Sequence, residues 1–296
     1  MTPKYQNFDT IESYNDILGI ETLHPLVSVV NLNKARQMYH MQHTMSFYSV
    51  YLKDEENCEL IYGRQKYDFQ KGSVVALAPG QVIGIEDNGD LFQPRGWALF
   101  FHPDLLRGTE LGRHIREYTY FSYKVNEALH LSEGERKIIL ASLENIEAEL
   151  KHCIDHFSKR LIAAHIEILL DHCLRFYNRQ FETREHVNSD LMSRFGHLLD
   201  HYFDQDVNGL PTVKWCAEQL FLSPNYFGDL VKKETGKTAQ EYIQMRVAAE
   251  IKNRLDTSTV PVAVIADEMG FQYPQHLTRF FKKETGMTPV EYRKSS

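Results

Sequence analysis

Cysteine is scarce in this chain. Cys58, Cys153, Cys173 and Cys216 are the only four in 296 residues, and they show no close pairing pattern. That excludes a disulfide scaffold and suits free thiols in a reducing cytoplasm. No apolar run approaches the ~20 residues that a membrane-crossing helix needs. The opening, Met1-Thr-Pro-Lys-Tyr-Gln-Asn-Phe, does not read as a signal peptide, so a cytoplasmic location is expected. An excess of positive charge is also missing: the formal net charge is −7, which excludes a non-specific polyanion binder. A metal-holding histidine pattern is lacking too. His40 and His43, three apart on a strand, would face opposite sides, and no glutamate follows closely. His152 and His156 are one helical turn apart, which a partly exposed helix explains. No metal, no cofactor and no catalytic residue is expected, so the chain is not read as an enzyme.

What is present is a repeat. Lys-Lys-Glu-Thr-Gly occurs at Lys232–Gly236 and again at Lys282–Gly286, and Thr238, Glu241 and Tyr242 recur as Thr288, Glu291 and Tyr292. A fixed period of this size marks one supersecondary unit built twice. Before the first copy, Val213, Cys216, Ala217 and Leu220 fall at helical spacing, and Phe227, Leu230 and Val231 do so after a turn. Ser223 followed by Pro224 is a helix start, the serine capping free amides and the proline occupying a position that needs no donor. Before the second copy, Val262, Ile265, Ala266 and Met269 form one face, and Leu277, Phe280 and Phe281 the next. Gly270 lies at the turn between them, where the lack of a Cβ is useful. Each unit, at about 212–234 and 261–284, is a helix-turn-helix. A helical hairpin that only packs is the competing explanation, and it does not call for this matched punctuation.

Ile243, Val247, Ile251 and Leu255 recur every four residues, so Ala239–Leu255 reads as one connecting helix of roughly 25 Å. With the flanking turns, the two recognition helices would lie about 34 Å apart, one turn of B-DNA. A single chain would then read two half-sites.

The last hundred or so residues resemble the DNA-binding domain of the AraC/XylS family of transcription regulators. The resemblance is carried by Ser223-Pro-Asn-Tyr-Phe, Lys232-Lys-Glu-Thr-Gly, Glu241-Tyr-Ile-Gln-Met-Arg246, Ile265-Ala-Asp-Glu-Met-Gly-Phe271, Phe281-Lys-Lys-Glu-Thr-Gly286 and Thr288-Pro-Val-Glu-Tyr-Arg293. Base contacts are expected from the outward face of each second helix. In the second unit these are Gln275, His276, Thr278 and Arg279. Arginine can pair bidentately with guanine and glutamine with adenine, each good pair discriminating by about 1–3 kcal/mol. In the first unit they are Asn225, Tyr226 and Asp229. Asp229 departs from the family, where a base-reading arginine is common nearby, so this unit either reads through Asn225 and Tyr226 or chiefly positions the protein. Lys232, Lys233, Lys237, Arg246, Lys282 and Lys283 are candidates for phosphate contact.

Of the 33 Lys+Arg and 40 Asp+Glu, twelve and ten lie from Leu210 onward, which leaves 21 and 30 ahead of it. The acidic N-terminal part would not lie along DNA and has another task. From about Pro25 to His102 it reads as short strands: Pro25–Val30, Met45–Leu52, Glu59–Tyr62, Ser73–Ala78, Gln81–Ile85 and Trp97–Phe101. Gly and Pro turns punctuate them, as in a sandwich or barrel. Lys71–Gly80 and Gly96–Pro103 resemble the cupin-like effector domain often found ahead of this DNA-binding domain. Such a barrel can hold one small ligand, with a wall drawn from Phe47, Tyr48, Tyr51, Tyr62, Trp97 and Phe100. Core packing explains the same aromatics, and alternation alone does not say which face points inward.

Ser132-Glu-Gly-Glu135 is a capping box opening a helix with Ile139, Leu143, Ile146 and Leu150 on one face. A second helix carries Ile162, Ile166, Leu169, Cys173 and Phe176 in the same rhythm, which is a coiled-coil-like stripe. One stripe would cover the barrel, and the family comparison suggests that the other pairs two subunits. The expected organisation is a two-domain chain. An N-terminal all-β cupin-like barrel with flanking helices spans 1–182, with a helical dimerisation region at about 132–181. A polar linker follows at 183–190, and an all-α, homeodomain-like double helix-turn-helix domain spans 191–296. The expected function is sequence-specific transcription regulation on double-stranded promoter DNA. It would be carried out by a homodimer under control of a small-molecule effector and with recruitment of RNA polymerase. A constitutive regulator with a purely structural barrel, and a cupin-type metal enzyme with a DNA-binding tail, are the alternatives. Activation and repression are not distinguished.

Overall fold

A computed structural model of the chain describes residues 5–39, 41–53, 72–84, 91–124, 127–153, 155–183, 185–204 and 209–295. His40, Cys58, Tyr62 and the expected strand Glu59–Tyr62 lie outside them. The chain divides at Thr183/Arg184 into two compact units.

The first unit contains β1 (Tyr5–Phe8), α1 (Ile11–Leu18), β2 (Val27–Asn31), β3 (Met38–Tyr39), β4 (Gln42–Met45), β5 (Tyr48–Lys53), β6 (Ser73–Leu77), β7 (Leu91–Phe92) and β8 (Trp97–Phe101), then short helices α2 (Pro103–Leu106) and α3 (Glu110–His114), β9 (Leu129–His130), and long helices α4 (Glu133–Lys151) and α5 (Ser158–Thr183). Strands β2, β8, β5, β6 and β9 form an antiparallel sheet in that order, while β1 pairs in parallel with β4 and β3 pairs with β7. No closed barrel is formed among the described residues; β2 and β9 remain the edges of the sheet. The expected strand at Gln81–Ile85 is reduced to one bridge, with Ile83 exchanging backbone bonds with His43.

Register assigns the faces. Phe100 stands opposite Ser49 and Ser28, and Ala98 opposite Tyr51 and Val30. These side chains share one face of the sheet, and Phe100, Ala98, Val30 and Tyr51 pack there with Phe8, Tyr14 and Phe47. Tyr48 is paired with Phe101 and stacks on it at 5.0 Å, with Phe121 against both. That is the opposite face, which Trp97 also joins through its pairing with Leu52.

Ser132 and Glu135 close their capping box at the start of α4, and Glu135 also holds Arg179 of α5 through two bonds of 3.0 and 2.9 Å. Both long apolar stripes are buried inside the unit, Ile139, Leu143, Ile146 and Leu150 on α4 and Ile162, Ile166, Leu169, Cys173 and Phe176 on α5. The expectation that one stripe pairs two subunits is thereby corrected: each is consumed by packing within the chain.

The second unit is all helical: α6 (Glu185–Asp200), α7 (Val213–Gln219), α8 (Pro224–Thr235), α9 (Ala239–Thr257), α10 (Val262–Glu268), α11 (Pro274–Thr285) and α12 (Pro289–Ser295). The stretch 183–190, expected as a linker, is helical from Glu185 onward. Ile243, Val247, Ile251 and Leu255 make a buried stripe along α9. Phe227 and Val231 of α8 meet this stripe in the same core as Leu277 and Phe281 of α11. Among the described residues no helix is long and apolar enough to cross a membrane.

Candidate DNA-recognition surface

Each helix-turn-helix is built by local chemistry. Thr212 caps α7 by accepting from the Trp215 amide at 3.1 Å, and Ser223 caps α8 by accepting from the Tyr226 amide at 3.2 Å. Pro224 and Pro274 occupy the first turns of α8 and α11. Both helices end on a left-handed glycine, Gly236 (φ 71°) and Gly286 (φ 84°), the usual device for terminating a helix without a Cβ clash. Thr238 and Glu241 then form a capping box that starts α9, and Thr288 and Glu291 repeat the same two backbone bonds before α12.

The turns differ by one residue. The Leu222 amide donates to Ala217 O, and the matching bond joins Phe271 to Ala266. That bond is displaced by 49 positions, whereas the prolines that open α8 and α11 are 50 apart. Phe221 therefore occupies the place of Gly270. Its φ is 62° and its ring is 63% exposed, an arrangement that a side-chain-bearing residue rarely adopts. Gly270 (φ 73°) instead lies against the backbone of Gly209.

On α11, Gln275, His276, Arg279, Lys282 and Lys283 are exposed while Leu277 and Phe281 face the core. The helix thus presents a polar face with an arginine in its middle and two lysines at its end. Thr278 is half-buried and its hydroxyl donates to Pro274 O at 3.1 Å, so it is partly committed within the helix. On α8, Asn225, Lys232 and Lys233 are exposed and Asp229 is half-buried. Tyr226 is the correction here. Its side chain is buried, because it falls on the same side of α8 as Phe227 and Leu230, and it is withdrawn from base contact. Lys237 is exposed beyond the end of α8. Arg246 is corrected as well: its guanidinium is bound to the Asp200 carboxylate, tying α9 to α6.

Sequence reasoning passed over α6, although Met192, Phe195, Leu198 and Leu199 carry a helical rhythm and Phe195 is fully buried in this core, edge-on to Phe227 at 4.8 Å. It also missed that the two repeated glutamates diverge. Glu234 accepts from Asn188 at 2.9 Å, while Glu284 lies 3.4 Å from Lys283.

A helix-turn-helix domain family model matches residues 216–295. The chain is 35% identical over 97 residues to the multiple antibiotic resistance protein MarA of Salmonella typhimurium, covering 33% of this chain and 76% of MarA. The chain belongs to the AraC/XylS family of transcription regulators. Within it, YesN of Bacillus subtilis, printed as a transcriptional regulatory protein, is 38% identical over 86 residues, or 28% of this chain and 23% of YesN. YijO of Escherichia coli, an HTH-type transcriptional regulator, is 25% identical over 224 residues, which is 75% of this chain and 76% of YijO. The chain spans less than half the length of YesN and of a further Bacillus subtilis relative, YobQ, of which 44% is covered.

Proposed function

We propose that this chain is a sequence-specific, DNA-binding transcription regulator that reads two half-sites with α8 and α11. The observation that carries this reading is the shared core: both recognition helices pack on α9 while Gln275, His276, Arg279 and Lys282 stay exposed. One continuous core holds two readers in a fixed relation, which suits successive major grooves on one face of a duplex. The duties are unequal. α11, through Arg279 and Gln275, supplies most of the base discrimination; α8, with Asp229 and the corrected Tyr226, positions the protein through Lys232, Lys233 and Lys237. Selection of bound DNA from a random pool tests this. It is expected to return two half-sites about 10 base pairs apart, with stronger preference in the half-site of α11. A single ungapped site would overturn the paired reading.

The N-terminal unit is read as a cupin-like effector domain, supported by its antiparallel sheet with one aromatic face and by the domain order. Effector binding there would shift the population of DNA-competent molecules, with RNA polymerase recruitment as the downstream event. Homodimerisation in the 132–181 region is retained on a different face from the buried stripes. Leu161, Ala164 and Ile168 of α5, with Phe157 just before it, are exposed at four-three-four spacing, the rhythm of a helix pair.

A further inference from the structure

Behind the sheet face that carries Phe100, four polar side chains from three elements form a chain in apolar surroundings. Tyr14 of α1 meets Tyr51 of β5 hydroxyl to hydroxyl at 3.4 Å. Ser49, fully buried and on the same face of β5, borders the Tyr51 hydroxyl, and its Oγ completes no hydrogen bond among the described residues. His43 of β4 lies with its ring 5.5 Å from that of Tyr14 and 5.6 Å from Phe8. It is 6% exposed, and neither of its ring nitrogens completes a hydrogen bond among the described residues. The shell around this chain is aromatic, with Phe100 5.2 Å from Tyr14 and 5.7 Å from Phe47.

Buried polar atoms are almost always paired, and orphans call for an explanation. Here three orphaned atoms, on His43 and Ser49, sit along one connected chain, so a single missing partner accounts for them. Burial disfavours protonation of His43, so at neutral pH the imidazole offers one donor and one acceptor. Burial likewise keeps both tyrosines as neutral phenols. Glu127 is the only buried carboxylate among the described residues, and it is engaged by the Lys124 amide at 2.6 Å. Nothing described in the nest would balance a charge, and an unbalanced buried charge is strongly disfavoured.

We infer that the nest around His43, Ser49, Tyr14 and Tyr51 binds an uncharged small molecule with a flat apolar body and a hydroxyl or amide group. This deepens the effector reading above and rests on it. Of the six aromatics considered from the sequence, Phe47, Tyr51 and Phe100 belong to the nest, Tyr48 and Trp97 lie on the other face, and Tyr62 is outside the described residues.

Phenol and benzoate, which share a ring but differ in charge, are the probes, used on the full chain. Phenol is expected to raise Tm and shift the His43 imidazole resonances in nuclear magnetic resonance spectra, while benzoate does neither. His43→Phe is expected to raise Tm without ligand, because an unpaired polar group leaves the core, and to abolish the response to phenol. Ser49→Ala is a smaller change with the same expected direction and serves if His43→Phe does not fold. The inference is overturned if phenol leaves the His43 resonances in place, if benzoate acts as strongly, or if both variants lower Tm. Phenol engaging His43 without altering DNA affinity would uphold the site and defeat effector control. An unresponsive nest with intact DNA binding would do the reverse to the ligand claim and leave the regulator standing.

Discussion

Gly270 packs on Gly209 so closely that a Cβ at position 270 would lie 2.7 Å from the nitrogen and the oxygen of Gly209. The turn of the second helix-turn-helix is thus clasped by a glycine pair, and the left-handed φ of Gly270 adds a second reason for glycine. Gly270→Ala is expected to destabilise the chain by about 2–3 kcal/mol, the left-handed backbone alone accounting for about 1–2 and the backbone clash for the rest. Gly286→Ala, left-handed but with open space around its Cβ, is expected to cost only the backbone share. Urea denaturation of both variants measures the difference.

Phe221 reverses that argument. It holds the equivalent place with a side chain, at φ 62°. Phe221→Gly relieves about 1–2 kcal/mol of backbone strain and gives back about 0.5–1 in unfolded-chain entropy. Stability is expected to be unchanged or slightly raised, where most glycine substitutions lower it. A clear loss would mean that the exposed ring contributes packing of its own.

Glu135 makes the acid side of stability predictable. Burial works against its ionisation, but the Ser132 amide and the Arg179 guanidinium outweigh it and hold the carboxyl below its ordinary value. A depressed carboxyl contributes stability that is present above its unfolded pKa and lost as pH falls through the folded one. Glu135→Gln is therefore expected to cost about 1 kcal/mol near neutrality and progressively less below about pH 4.5. Denaturant midpoints for both proteins at neutral and acid pH test this.

The free thiols separate by burial. Cys173 and Cys216 are buried, and burial pushes each thiol up to about 12, whereas Cys153 is exposed. Alkylation of the native chain at pH 8 is expected to label Cys153 and spare Cys173 and Cys216 until the chain is unfolded.

Legibility followed the range of the interactions. The caps at Ser132, Ser223 and Thr238, the helix over Ala239–Leu255 and the two recognition helices are written in contiguous residues, and the structure carries them. Tyr226 was misplaced because one helical position separates an outward side chain from a buried one, and its neighbour Phe227 decides which. Arg246 was misassigned because its partner, Asp200, lies 46 positions away on a helix that had not been recognised. The two faces of the sheet became distinguishable only with register: Tyr48 and Phe47 are adjacent in the chain and end on opposite sides. The His43 nest draws on α1, β4 and β5, and no local pattern announces it.

Arg246 bears on the assignment of charges on the recognition surface. Its pairing with Asp200 is partly exposed, so Arg246→Ala is expected to cost under about 1 kcal/mol of stability and to leave the salt dependence of DNA binding unchanged. Lys282, exposed at the end of α11, is expected to behave otherwise.

The most direct measurement is base preference and salt dependence for the full chain beside its Arg279→Ala and Lys282→Ala variants. Arg279→Ala is expected to relax preference at one base position, at about 1–3 kcal/mol. Lys282→Ala is expected to weaken all sites alike and lower the salt slope by about one. Equal effects of the two substitutions on preference and slope would contradict the assignment of α11 as the reader.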